Sequence, residues 1–176
     1  MPRATILFVD DEENVRNALR RVLRRTDYQL LFADGPDAAL DLLQKERIDI
    51  VVSDHLMPRM NGLDLLKLIR ERQPEIIRIM LTGHTSAGSV LVPVESGDIF
   101  RFLSKPWDEG DMLVTFHQAC ERLALERENR RLASLVRVYE TAFAQLKAEN
   151  PGIVVPEGEG VELEPDEPLP SAAPAP

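Results

Sequence analysis

The chain has 176 residues, 44% of them hydrophobic, with a net charge of −9 and one cysteine, Cys120. That length and composition suit one soluble domain with an appendage, and a lone cysteine excludes an intramolecular disulfide and any two-cysteine metal pair. No apolar run approaches the roughly 20 residues that cross a bilayer, and the amino terminus lacks the basic, apolar and cleavage regions of a signal peptide, so a cytoplasmic protein without a membrane partner is expected.

The charge is unevenly spread. Residues 150–176 hold Glu157, Glu159, Glu162, Glu164, Asp166 and Glu167 with no Lys or Arg, while the preceding 149 residues hold 21 basic against 24 acidic side chains. Neither part has the basic excess that neutralises phosphates, so nucleic acid is not an expected partner.

In chain order, short aliphatic runs alternate with segments of helical periodicity, the pattern of a parallel sheet covered on both faces. Strands are predicted at Thr5–Val9, Gln29–Ala33, Ile48–Ser53, Ile77–Leu81 and Ile99–Leu103. Helical spacing links Val15, Leu19, Val22 and Leu23, then Ala38, Ala39, Leu42 and Leu43, then Leu63, Leu65, Leu66 and Ile69. Gly35-Pro36 opens the second helix and Asn61-Gly62 the third. Between Thr85 and Glu95 the valines, Gly88 and Pro93 predict a short or kinked element. A doubly wound α/β domain follows.

From Trp107 the pattern becomes one long helix. Leu125, Asn129, Leu132, Val136, Tyr139, Phe143 and Leu146 alternate steps of four and three, a heptad seam with Asn129 at an a position, and suggest a coiled-coil homodimer. The same stripe could pack on its own domain or stay solvated, and the e and g positions show no clear charge code. From Pro151 the composition of prolines, glycines and acids predicts a disordered tail. The expected organisation is a domain over residues 1–122, a helical extension over 123–149 and an acidic tail over 150–176.

In an open α/β sheet the active crevice lies outside the carboxyl ends of the strands. Asp10 and Asp11 end the first predicted strand, Asp54 the third, Thr82 the fourth, and Lys105 follows the fifth. Three carboxylates on one rim need a cation, and hard oxygen donors at an open site suit Mg²⁺.

With these residues placed, the chain resembles the receiver domains of two-component response regulators over about residues 4–122. Val9-Asp10-Asp11-Glu12 is similar to the family's acidic pair, Ser53-Asp54-His55-Leu56-Met57-Pro58-Arg59-Met60-Asn61-Gly62 to its acceptor loop, Leu81-Thr82-Gly83 to its switch hydroxyl, and Phe100-Arg101-Phe102-Leu103-Ser104-Lys105-Pro106-Trp107 to its lysine segment. The resemblance implies a flavodoxin-like five-stranded parallel sheet of order 2-1-3-4-5 with an extended C-terminal helix. It implies that Asp54 is the phosphorylated nucleophile, that Asp10, Asp11, Asp54 and the Leu56 carbonyl hold Mg²⁺, that Lys105 and Thr82 bind the phosphoryl oxygens, and that Phe102 moves with Thr82 as the switch. It also suggests a cis Lys105–Pro106 bond, a sensor histidine kinase or phosphotransfer protein as donor, and a downstream protein partner.

The lysine segment and long helix resemble receivers that precede HD-GYP cyclic-di-GMP phosphodiesterase domains or transcriptional activator modules, but neither output is legible here. His55, His84 and His117 have no ligand-like spacing, and there is no Gly-Lys-Ser/Thr phosphate loop. A phosphoacceptor that assists its own phosphorylation and dephosphorylation, rather than an enzyme with an external substrate, is expected. The alternative is a constitutive dimeric scaffold with a vestigial acceptor. A haloacid-dehalogenase-like phosphatase would want Asp-x-Asp after the first strand, which Asp10-Asp11-Glu12 does not provide.

Overall fold

The computed structural model describes residues 4–83 and 99–149. It contains β1 (Thr5–Val9), α1 (Glu13–Leu23), β2 (Gln29–Ala33), α2 (Pro36–Lys45), β3 (Ile50–Asp54), α3 (Gly62–Arg72), β4 (Ile77–Gly83), β5 (Arg101–Lys105) and α4 (Glu109–Glu149). The five strands form one parallel sheet ordered β2-β1-β3-β4-β5. The expected irregular element at Thr85–Glu95 and the expected disordered tail lie outside the described residues.

Period-two alternation divides the core between the two faces of the sheet. Ile6 and Phe8 of β1, Ile50 and Val52 of β3, and Ile79 and Leu81 of β4 face Leu19 and Leu23 of α1 and Met112, Phe116 and Leu123 of α4. Leu7, Val9, Val51 and Met80 face Ala39 and Leu43 of α2 and Leu65, Leu66 and Ile69 of α3. Phe8 stacks on Phe32 at 5.4 Å and meets Phe116 edge-on at 6.0 Å, tying β1, β2 and α4 together. Each such fully buried large side chain stabilises the fold by about 1.5–3 kcal/mol.

Local chemistry sets the helix boundaries. Pro36 stands in the first turn of α2, where its missing donor costs nothing. Asn61 caps α3 by accepting the Asp64 N–H at 2.9 Å, and Asp108 accepts the Asp111 N–H at 2.9 Å before α4.

Two strands start later than the sequence suggests, β3 at Ile50 and β5 at Arg101, while β4 runs on through Thr82 to Gly83. Ile48 is buried without belonging to a strand, because apolar character reports burial rather than ladder pairing. The chain divides into two units, residues 1–133 and 134–176. The last core side chain of α4 in the first unit is Leu123, whereas Leu125 and Leu132 are exposed. In the second unit Leu135, Val136, Val138, Tyr139, Phe143 and Leu146 are exposed.

Candidate functional site

The sheet reverses its winding between β1 and β3, and the crevice at their carboxyl ends collects the acidic residues. Asp54 is the last residue of β3 and Asp10 directly follows β1; both are buried. Lys105, the last residue of β5, reaches back so that its Nζ lies 2.7 Å from Asp54 Oδ1 and 2.7 Å from Asp10 Oδ2. A β4 residue separates these elements in the sheet, and it is Thr82, paired in register with Ser104.

Each carboxylate is held at both oxygens. Asp10 Oδ1 accepts the Glu12 N–H at 2.9 Å while Oδ2 takes Lys105. Asp54 Oδ2 accepts the Leu56 N–H at 3.2 Å while Oδ1 takes Lys105. Burial pushes the Asp10 carboxyl up, against the lowering by the Lys105 and Glu12 hydrogen bonds. Burial works to lower the Lys105 ammonium, but its bonds to Asp10 and Asp54 win and hold it above its ordinary 10.5.

The remaining expected residues stand around this triad. Asp11 is exposed on the β1–α1 turn, and the Leu56 side chain is 68% exposed. Thr82 is buried, and its hydroxyl donates to the Gly83 carbonyl at 3.1 Å rather than to either carboxylate. Phe102 is half-buried on β5, against the core face that carries α2 and α3. The Lys105–Pro106 bond is cis. His55 Nδ1 is buried without a hydrogen-bond partner among the described residues, and His117 pairs with Glu121 at 3.2 Å.

Three positioning features escape a reading of motifs. Arg16, one turn into α1, donates to the Asp10 carbonyl at 2.6 Å and so fixes the acidic turn from its outer side. Gly62 packs against Asp54 itself: a Cβ there would stand 1.9 Å from the Asp54 carbonyl oxygen. Its own N–H donates to the His55 carbonyl at 2.9 Å, closing the loop. Arg59, at the loop's apex, adopts φ 71°, a left-handed conformation uncommon for a residue with a Cβ, and its guanidinium pairs with Asp37 at 2.7 Å. An arginine one helical turn beyond an acidic pair is the only sequence signal that could have singled out Arg16.

Among the described residues no three carboxylate, imidazole or thiolate side chains converge as a preformed metal cage. The donor set still fits Mg²⁺, which binds through one or two carboxylates and keeps several waters. Asp11 is solvent-facing on the β1–α1 turn, while both Asp10 oxygens already have partners.

Comparison with known proteins agrees with this geometry. The family model described as "Response regulator receiver domain" matches residues 6–117. The hydrogenase transcriptional regulatory protein HoxA of Cupriavidus necator is 35% identical over 143 residues, covering 81% of this chain and 30% of its own length. The nitrogen assimilation regulatory protein NtrX of Azorhizobium caulinodans is 29% identical, covering 90% of this chain and 38% of its own. This chain therefore spans about a third of the length of those relatives. The signal receiver domain of an HD domain-containing protein from Pseudomonas fluorescens Pf-5 superposes with a TM-score of 0.65 at 36% identity, covering 69% of this chain and 98% of that one. With its sheet order, its acidic crevice and this match over residues 6–117, the chain belongs to the response regulator receiver family.

Proposed function

We propose that this chain accepts a phosphoryl group on Asp54 from the phosphohistidine of a sensor kinase or phosphotransfer protein, and that the modification switches its contacts with other proteins. The observation that carries the reading is the Lys105 ammonium, 2.7 Å from Asp54 Oδ1 and 2.7 Å from Asp10 Oδ2 at the rim of β1, β3 and β5. An Asp54 carboxylate oxygen forms the new bond to phosphorus as the bond to the donor's imidazole nitrogen breaks, giving an acyl phosphate. Lys105 is within reach of an oxygen on the transferred group, and rotation of Thr82 about its side-chain bond would bring its hydroxyl to another. Phe102, half-buried on β5 and paired in register with Met80, two residues before Thr82, would follow that rotation. Bound Mg²⁺ would neutralise charge on the phosphoryl oxygens, with Asp11, Asp54 and the Leu56 carbonyl as protein ligands and Asp10 acting directly or through water.

The organisation that goes with this reading is a cytoplasmic receiver over residues 1–122, a helical extension over 123–149 and an acidic tail over 150–176. The extension serves as a dimer seam. Leu125, Leu132, Val136, Tyr139, Phe143 and Leu146 are each 47–66% exposed. At roughly 100 Å² each they offer about 600 Å² per helix, about three quarters of the ~800 Å² per partner of a stable interface. In a parallel pair Asn129 meets its own copy. This seam also favours the second reading, a constitutive dimeric scaffold.

Incubation of the full chain with a small acyl phosphate and Mg²⁺ separates the two. The receiver reading expects stoichiometric, Mg²⁺-dependent labelling that Asp54→Asn abolishes. Labelling of Asp54→Asn at the native level would sink it.

A further inference from the structure

The backbone and side chain of Asp10 offer four polar groups, and each has a partner. The N–H donates to the Ala33 carbonyl at 3.2 Å, Oδ1 accepts the Glu12 N–H at 2.9 Å, and Oδ2 takes Lys105 at 2.7 Å. The fourth group, the Asp10 carbonyl, accepts from the Arg16 guanidinium at 2.6 Å. Asp10 is buried, and a buried carbonyl needs a partner. Arg16 also reaches this turn through its backbone. Its N–H donates to the Glu12 carbonyl at 3.2 Å, so one residue holds the carbonyls of the residues on both sides of Asp11. Glu12, at the cap position of α1, contributes no side-chain cap, which leaves these bonds to fix how the turn enters the helix. The Asp10 carbonyl belongs to the peptide plane that joins Asp10 to Asp11, and holding that plane sets the direction in which the Asp11 side chain leaves the backbone. Asp11 is exposed, so packing does not set it. Arg16 is half-buried, and no carboxylate among the described residues forms an ion pair with it. Its charge goes instead to a backbone oxygen, in a bond stronger than one between neutral groups.

We propose that Arg16 is a positioning residue for the divalent cation: through the Asp10–Asp11 peptide it presents the Asp11 carboxylate, touching neither the cation nor the phosphoryl group. The inference rests on the proposed role of Asp11 as a Mg²⁺ ligand. Partners that orient a metal ligand from behind are worth about 10–100-fold in metal affinity when removed. Arg16 also carries a positive charge, which by itself repels a cation. These two effects have opposite signs. The direction of the change on removing the guanidinium therefore tells positioning from charge.

Titration of the ¹⁵N-labelled full chain with Mg²⁺, followed by the amide NMR shifts of residues 10–12 and 54–56, gives a dissociation constant without any phosphodonor. Arg16→Met keeps an unbranched stem and loses the guanidinium, and its dissociation constant should rise about tenfold with the sheet resonances retained. Arg16→Gln, better suited to a half-exposed site, should behave in the same way. Arg16→Lys keeps the charge and a donor without the rigid fork, and should recover part of the affinity. Arg20→Met serves as the control for charge, because Arg20 bonds Asn17 and lies over the Phe32 ring without holding the turn. It should leave the constant unchanged or slightly lower. A constant that is unchanged or lowered in Arg16→Gln, or raised as much in Arg20→Met, would overturn the proposal and leave the receiver reading intact. A native chain with no saturable shift at residues 10–12 and 54–56 would remove the Mg²⁺ site itself, and the proposal with it.

Discussion

Two residues at the Asp54 crevice carry consequences out of proportion to their size. Gly62 leaves no room for a methyl group, since its Cβ would stand 1.9 Å from the Asp54 carbonyl oxygen and 2.9 Å from the Ser53 hydroxyl. Backbone cannot rotate aside as a flexible side chain can, so Gly62→Ala must move the loop after Asp54. A loss of about 1–3 kcal/mol is expected in urea denaturation, together with slower phosphoryl uptake. Lys105 governs the pH response. Asp10 has a raised carboxyl, so its ionisation costs the folded state stability as pH rises from the ordinary 3.8 through the raised value. Lys105, held above 10.5, contributes stability that is fully present below 10.5 and lost as pH climbs through its raised value. In Lys105→Met the Asp10 carboxyl loses its compensating cation and rises further. The gap in urea midpoint between wild type and variant should therefore widen from pH 4 to pH 8; a gap that stays constant would show that losing Lys105 does not raise the Asp10 carboxyl further.

Among the elements, the central strand β3 joins Asp54 to the amino-terminal end of the sheet. It ends at Asp54, and the residue before it, Asp49, is fastened to three neighbours. Asp49 Oδ2 accepts the Thr5 N–H at 2.9 Å, its carbonyl accepts the Ile77 N–H at 3.0 Å, and its Oδ1 bonds Arg127 of α4. Asp49→Ala leaves the Thr5 N–H without its carboxylate and should cost about 1–3 kcal/mol. Arg127→Ala removes only a half-exposed partner and should cost less than about 1 kcal/mol. Hydrogen exchange over residues 124–131 should accelerate in both variants, and equal stability losses would refute the asymmetry. The elements themselves were largely readable from periodicity, and the acids of the site from their places after Val9 and Ser53. Asp49 and Arg127 were not, because a contact between residues 78 apart leaves no local pattern. The close approach of Gly62 to Asp54 was equally silent: a glycine after Asn61 reads as a helix start, and only the folded loop shows what lies against it.

For the whole molecule, the question is what α4 meets. Among the described residues no helix is long and apolar enough to cross a membrane, and the exposed side chains of α4 from Leu125 to Leu146 repeat with coiled-coil spacing. Self-association through them expects a dimer mass by light scattering for the full chain, and a monomer mass for Tyr139→Glu/Phe143→Glu with Asp54 labelling unchanged. A monomeric native chain at micromolar concentration would remove the seam from the account. The crevice, by contrast, needs no second chain. Its two buried carboxylates are already bridged by the Lys105 ammonium, so the site carries a tethered cation of its own. On the proposed reading, a dissolved divalent ion would compete for Asp54 with an occupant that can never diffuse away, and affinity for the ion would measure how readily the carboxylate lets go of its own lysine.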